Sequence, residues 1–228
     1  MTPAESQWGS YLAAKPVLRG WLHLVAAPIA GVAAVLLAVV APSHLRLSVL
    51  VFALTTILLF SVSAVYHRGR FSPRITGLLQ RWDHANIFLV IAGSATPFAV
   101  ALLGPGPARS LLAVLWLGAV GGAVIRMAWV RAPRWLFVPM YLALGWASVM
   151  FLPAFLRSET LTDARHAWVL GLIALGGVLY TLGAGVFATR WPNPSPKWFG
   201  FHEVFHSFTL GGWTTHFVAA TLVVTAVR

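Results

Sequence analysis

From Trp21 onward the chain is built of apolar stretches, each close to the length that crosses a bilayer as a helix, and their few charges fall near their ends. The stretches run over residues 21–41, 46–66, 83–103, 110–130, 135–155, 166–188 and 202–224. A helix of about 20 residues rises roughly 30 Å, the thickness of the hydrocarbon layer. Continuous apolar runs also lack the in-out alternation of membrane strands, which disfavours a barrel. With 59% hydrophobic and 9% charged residues, the composition belongs to a membrane protein. The sequence therefore predicts an all-α fold: one domain over residues 1–228, a seven-transmembrane helical bundle.

Positive charge sets the orientation. With the N-terminus inside, Lys15, Arg19, Arg68, Arg70, Arg74, Arg81, Arg126, Arg131, Arg134, Arg190 and Lys197 face the cytoplasm. Arg46, Arg109, Arg157, Arg165 and Arg228 face outward. Eleven against five predicts a cytoplasmic N-terminus and, after seven spans, an external C-terminus. A multi-pass chain of this kind is expected in the inner (plasma) membrane. Residues 1–19 read as lacking a removable signal peptide. The net charge of +11 does not point to nucleic acid, because no long soluble stretch interleaves basic and aromatic residues. Gly104-Pro105-Gly106-Pro107 reads as a tight outer turn, and Trp191-Pro192-Asn193-Pro194-Ser195-Pro196 as a stiff inner connector. Pro28, Pro97, Pro139 and Pro153 lie inside spans, where proline either kinks a helix or is absorbed by its neighbours. Trp21, Trp82, Trp135, Trp191 and Trp198 fall near span ends, as interfacial anchors do.

The connector delivers the chain to Phe201-His202-Glu203-Val204-Phe205-His206. Histidines four apart on a helix are turned by about 40° and separated by about 6 Å along the axis, so both imidazoles face one point. The chain contains no cysteine, which excludes thiolate sites and disulfides; a metal would take His, Asp, Glu or water. The predicted topology puts three span ends at one depth: Ser63 to His67 closing the second, Asp83-His84 opening the third, and His202 with His206 opening the seventh. His67 supplies a third nitrogen, leaving the fourth position for water or Asp83, as in catalytic zinc sites. Ser63, one turn before His67, shares its face; hydrogen bonding to the metal water, Asp83 or a bound carbonyl competes with a bond back to its own helix. His84 is about 100° round from Asp83 and stays outside the ligand set, Asn86 is a candidate donor near Asp83, and Tyr66 reads as an interfacial side chain. His216 is too far along its helix to share the metal, and packing is the simplest reading of His23 and His166.

These residues, in this order, resemble the hemolysin III family, the bacterial branch of the progestin and adipoQ receptor superfamily that includes the adiponectin receptors. The similarity runs from Lys15-Pro16-Val17-Leu18-Arg19-Gly20-Trp21-Leu22-His23 through Ser63-Ala64-Val65-Tyr66-His67 and Asp83-His84-Ala85-Asn86-Ile87-Phe88 to Ile91-Ala92-Gly93-Ser94-Ala95-Thr96-Pro97-Phe98. It ends at Phe199-Gly200-Phe201-His202-Glu203-Val204-Phe205-His206 and His216-Phe217. The resemblance implies an inner-leaflet Zn2+ held by His67, His202 and His206, with Asp83 reaching it through water and Ser63 nearby. Its receptor relatives look like lipid amidohydrolases acting on ceramide, and its bacterial members are associated with membrane-lipid homeostasis. The expected function is zinc-dependent hydrolysis of a lipid amide or ester, with Asp83 as general base, Ser63 as an orienting donor and membrane lipids as partners. Two other readings compete. One is a receptor, sensor or cytolytic protein whose zinc only ties helices together. The other is an intramembrane metalloprotease, because His202-Glu203-Val204-Phe205-His206 spells H-E-x-x-H. The extended metzincin pattern fails, with Thr209 and Gly212 at its glycine and third histidine positions.

Overall fold

The computed structural model describes residues 16–129 and 133–227. Lys15, Arg131 and Arg228 of the charge tally, and most of the segment read as lacking a signal peptide, lie outside the described residues. The helices are α1 (Trp21–Val40), α2 (Ser43–Arg68), α3 (Pro73–Leu102), α4 (Pro105–Ala128), α5 (Arg134–Trp146), α6 (Leu152–Leu156), α7 (Asp163–Thr189) and α8 (Phe201–Ala226). A 3-10 stretch, Ala147–Phe151, joins α5 to α6, so these act as one broken span. Among the described residues there is no strand, only an isolated bridge between Ser195 and Phe199.

Six segments are long and apolar enough to cross a membrane: α1, α2, α3, α4, the α5 to α6 unit and α7. The seventh, α8, has 26 residues, but its composition is diluted by histidines, Glu203 and a series of serine and threonine residues. Their hydroxyls bond back to carbonyls of their own helix, as Ser207 to Glu203, Thr209 to Phe205 and Thr221 to Phe217. A polar helix of this kind is tolerated in a bundle because its side chains satisfy themselves locally. Successive helices pack in order, α1 on α2, α2 on α3 and α3 on α4, while α7 lies along α8. α8 returns to touch α1, and α3 touches α2, α4, α5 and α8, making it the most buried span.

Three boundaries differ from the sequence expectation. α3 starts at Pro73, ten residues before the predicted 83, so Asp83 sits in its third turn. The extra turns carry Arg74, Gln80 and Arg81, which an apolar-run criterion discards, while proline is well suited to open a helix. Proline opening likewise explains why Pro105 and Pro107 belong to α4 and not to a turn, which contracts to Leu103-Gly104. The fifth span breaks before Pro153, whose missing N–H and bulky ring disrupt the preceding helical turn. By contrast, α1, α3 and α5 continue through Pro28, Pro97 and Pro139.

The short segment before α1 fastens the histidine end of the bundle. Val17 and Leu18 donate backbone hydrogen bonds to the carbonyls of Lys197 and Trp198, at 2.9 and 3.1 Å. The connector is tied in turn by Asn193, whose side-chain oxygen accepts the Phe201 N–H at 2.9 Å. Gly20 has a φ of 79°, a left-handed conformation, and a Cβ there would stand 2.6 Å from His67 Cβ. Only glycine fits both requirements. Across the bundle, Trp213 of α8 donates to Thr56 of α2 at 2.9 Å and packs on Phe52 and Phe60.

Candidate metal centre

His67 is contributed by the last turn of α2, and His202 and His206 by the first two turns of α8. Each of the three offers a nitrogen, and these atoms all lie within 4.8 Å of one another. The His67 and His202 Nε2 atoms are 3.1 Å apart. Two nitrogens each about 2.0–2.1 Å from a tetrahedral ion would stand roughly 3.4 Å apart. The donor set, three imidazoles without a thiolate, therefore fits a divalent ion of borderline softness. Asp83 Oδ2 lies 3.7 Å from His67 Nε2. Ser63 is buried beside Asp83. The longer α3 does not remove Asp83 from the site; its third turn passes the end of α2.

The other candidates are placed elsewhere. His84 Nδ1 lies 2.6 Å from the Gln80 carbonyl of its own helix, outside the cluster. The Asn86 amide donates to the Leu58 carbonyl at 3.0 Å and so joins α3 to α2. Tyr66 is buried and packs against the His67 ring at 4.5 Å, so it is not an interfacial anchor. His216 contacts the Ile173 carbonyl of α7 at 3.3 Å. His166 belongs to an open polar pocket with Arg157, Glu159 and Asp163, which shares no residue with the histidine cluster.

Glu203 settles into a role that its place in H-E-x-x-H does not suggest. One carboxylate oxygen accepts the Gly200 N–H at 2.8 Å, capping α8, and the other pairs with Arg19. With 1% of its surface exposed, it anchors the segment before α1 to the start of α8. A protease reading needs this carboxylate as a base at the metal, and both of its oxygens are engaged elsewhere.

Sequence reasoning missed Arg19 and Gly20; for His23 it gives packing, which the structure bears out, without naming the partner. The His23 ring stacks on His206 with centroids 3.8 Å apart and planes 6° from parallel. Neither of its nitrogens has a hydrogen-bond partner among the described residues. A signal was available: the predicted topology puts the start of the first span at the same membrane face as the end of the second and the start of the seventh.

Comparison with known proteins agrees with this architecture. A family model described as "Haemolysin-III related" matches residues 11–217. A Bacillus cereus protein named "Hemolysin-3" is 29% identical over 162 residues, covering 71% of this chain and 68% of the relative. A "Hemolysin-3 homolog" of Bacillus subtilis is 30% identical over 162 residues, covering 71% of this chain and 70% of the relative. With its multi-pass helical bundle and a three-histidine cluster able to hold a metal ion, the chain is a membrane protein of the haemolysin-III-related family.

Proposed function

We propose that this protein is a seven-span zinc protein of the inner membrane that hydrolyses an amide or ester bond in a lipid. In this reading α8 is the seventh span, the N-terminus is cytoplasmic and the C-terminus external. His67, His202 and His206 hold the ion. When bound, Zn2+ supplies Lewis acidity toward a carbonyl and favours ionisation of water at neutral pH. Asp83 takes up the proton of the attacking water at its carboxylate and passes it to the leaving amine or alcohol. Ser63 orients the Asp83 carboxylate or donates to the substrate carbonyl. The acyl chain enters sideways from the lipid.

The observation that carries the proposal is the carboxylate of Asp83 standing 3.7 Å from His67 Nε2 on a neighbouring helix. An ionisable group inside a membrane bundle is costly and is usually kept for function. The test is hydrolysis of ceramide and of phospholipid esters by purified protein, compared with Asp83→Asn. This variant keeps its metal and fold, and turnover falls by about 10²–10⁴-fold, the usual contribution of a general base. Undiminished turnover removes Asp83 from the chemistry.

A second reading, a cytolytic or sensing protein with a structural metal, is favoured by the names of the two relatives, both called hemolysins. The enclosure of the cluster by His23 and Tyr66 also suits it. Metal retained without turnover of any lipid would select this reading.

A further inference from the structure

His23 brings a fourth imidazole to the metal centre, and its geometry keeps it out of the ligand set. Its ring and that of His206 are 3.8 Å apart, centroid to centroid, with planes 6° from parallel. An imidazole binds a metal through a nitrogen lone pair that lies in the plane of the ring. Two rings stacked face to face cannot both aim such a lone pair at one ion. In keeping with this, the nitrogens that lie within 4.8 Å of one another come from His67, His202 and His206, without His23.

What His23 offers is the flat of its ring. It is 2% exposed, and neither of its nitrogens has a hydrogen-bond partner among the described residues. Beyond His206 it meets Phe60 of α2, at 5.0 Å and 70°. Phe60 meets Trp213 of α8 at 5.7 Å and 80°, and the Trp213 indole N–H is fixed by the Thr56 hydroxyl at 2.9 Å. His23, Phe60 and Trp213 are all buried, so this column of rings backs His206 with side chains that have no room to swing away.

A ligating histidine ordinarily has its ring orientation fixed by a hydrogen bond from its other nitrogen. Among the described residues the His206 ring makes no hydrogen bond. The parallel face of His23 supplies the restraint in another way, because a flat neighbour at contact distance blocks rotation of the His206 ring about its χ2 bond. The same face favours a His206 ring polarised by a cation, since an aromatic face attracts positive charge.

We propose that His23 is a positioning residue of the metal centre, whose ring face holds the His206 imidazole in the plane from which it ligates. The inference rests on the metal-binding part of the reading above and not on turnover, so it applies equally to a hydrolase and to a structural metal.

The test is a Co2+ titration of the metal-stripped, detergent-purified full chain, read in the visible d–d absorption, which reports both affinity and ligand geometry. His23→Leu and His23→Phe both fill the site with carbon and both lack the nitrogens, and only phenylalanine keeps a flat face. Thermal melts of the metal-free chains check that each variant folds. His23→Leu binds Co2+ about 10–100-fold more weakly than the wild type, the loss usual for a group that supports a ligand, and its bands shift. His23→Phe restores the wild-type affinity and bands. His216→Ala, at a buried histidine further along α8, loosens the bundle and moves neither readout. Wild-type behaviour in His23→Leu overturns the proposal and leaves the metal reading intact. Equal loss in His23→Leu and His23→Phe overturns it as well, by assigning the role to the nitrogens of His23. Failure of the wild type to take up Co2+ sinks the metal reading itself, and this inference with it.

Discussion

Buried histidines occur at two levels of α8, and the two levels are built differently. In its first two turns, His202 and His206 meet His67 of α2 and the stacked ring of His23 from α1. Further along, His216 is spent on the Ile173 carbonyl of α7 and packed between Phe98 and Tyr180. Gly176 makes that approach possible, since a Cβ there would stand 2.4 Å from the His216 ring. All three histidines point into the bundle, and only the first two find other nitrogens. What makes a ligand is therefore the helix opposite, and i,i+4 spacing supplies only half of a site.

This contrast can be broken in graded steps. His202→Ala removes a ligand at the first level, and metal affinity falls by more than about 100-fold, beyond the roughly 10–100-fold lost when a group that only supports a ligand is changed. Stability falls with it, because metal binding is linked to folding, and a thermal melt with and without chelator reads both. Glu203→Ala strands Arg19 and uncaps α8, which costs about 2–3 kcal/mol by denaturant unfolding. Metal stays bound in that variant; in a metalloprotease the same change would spare stability and abolish peptide cleavage. Gly20→Ala costs about 1–2 kcal/mol for a left-handed backbone and lowers metal affinity through its push on His67, which an equilibrium metal titration detects. The smallest effect belongs to the second level: His216→Phe forfeits one hydrogen bond, about 1 kcal/mol, and leaves metal content unchanged.

How far the site was legible follows from the same physics. His67, His202 and His206 could be grouped from sequence because span counting fixes which helix ends share a membrane face. Asp83 could be included for the same reason, although the start of its helix was misplaced by the more polar turns from Pro73 to Trp82. Glu203 was ambiguous because a carboxylate in the first turn of a helix serves equally as a cap or as a base, and only its partners, Gly200 and Arg19, decide. Arg19 and Gly20 were read as a topology charge and as part of a lead-in. Their work is a long-range contact with residues far along the chain, which no local pattern encodes. The break before Pro153 was legible as a proline, but its neighbours decide whether a helix bends or breaks, as the uninterrupted passage through Pro28, Pro97 and Pro139 shows.

The most direct test of the central claim is metal content per chain, by inductively coupled plasma mass spectrometry, on gently purified wild-type protein beside His67→Ala. About one zinc per chain in the wild type and almost none in the variant is the predicted result. Full occupancy in His67→Ala, or a wild type that carries no metal, would contradict the account.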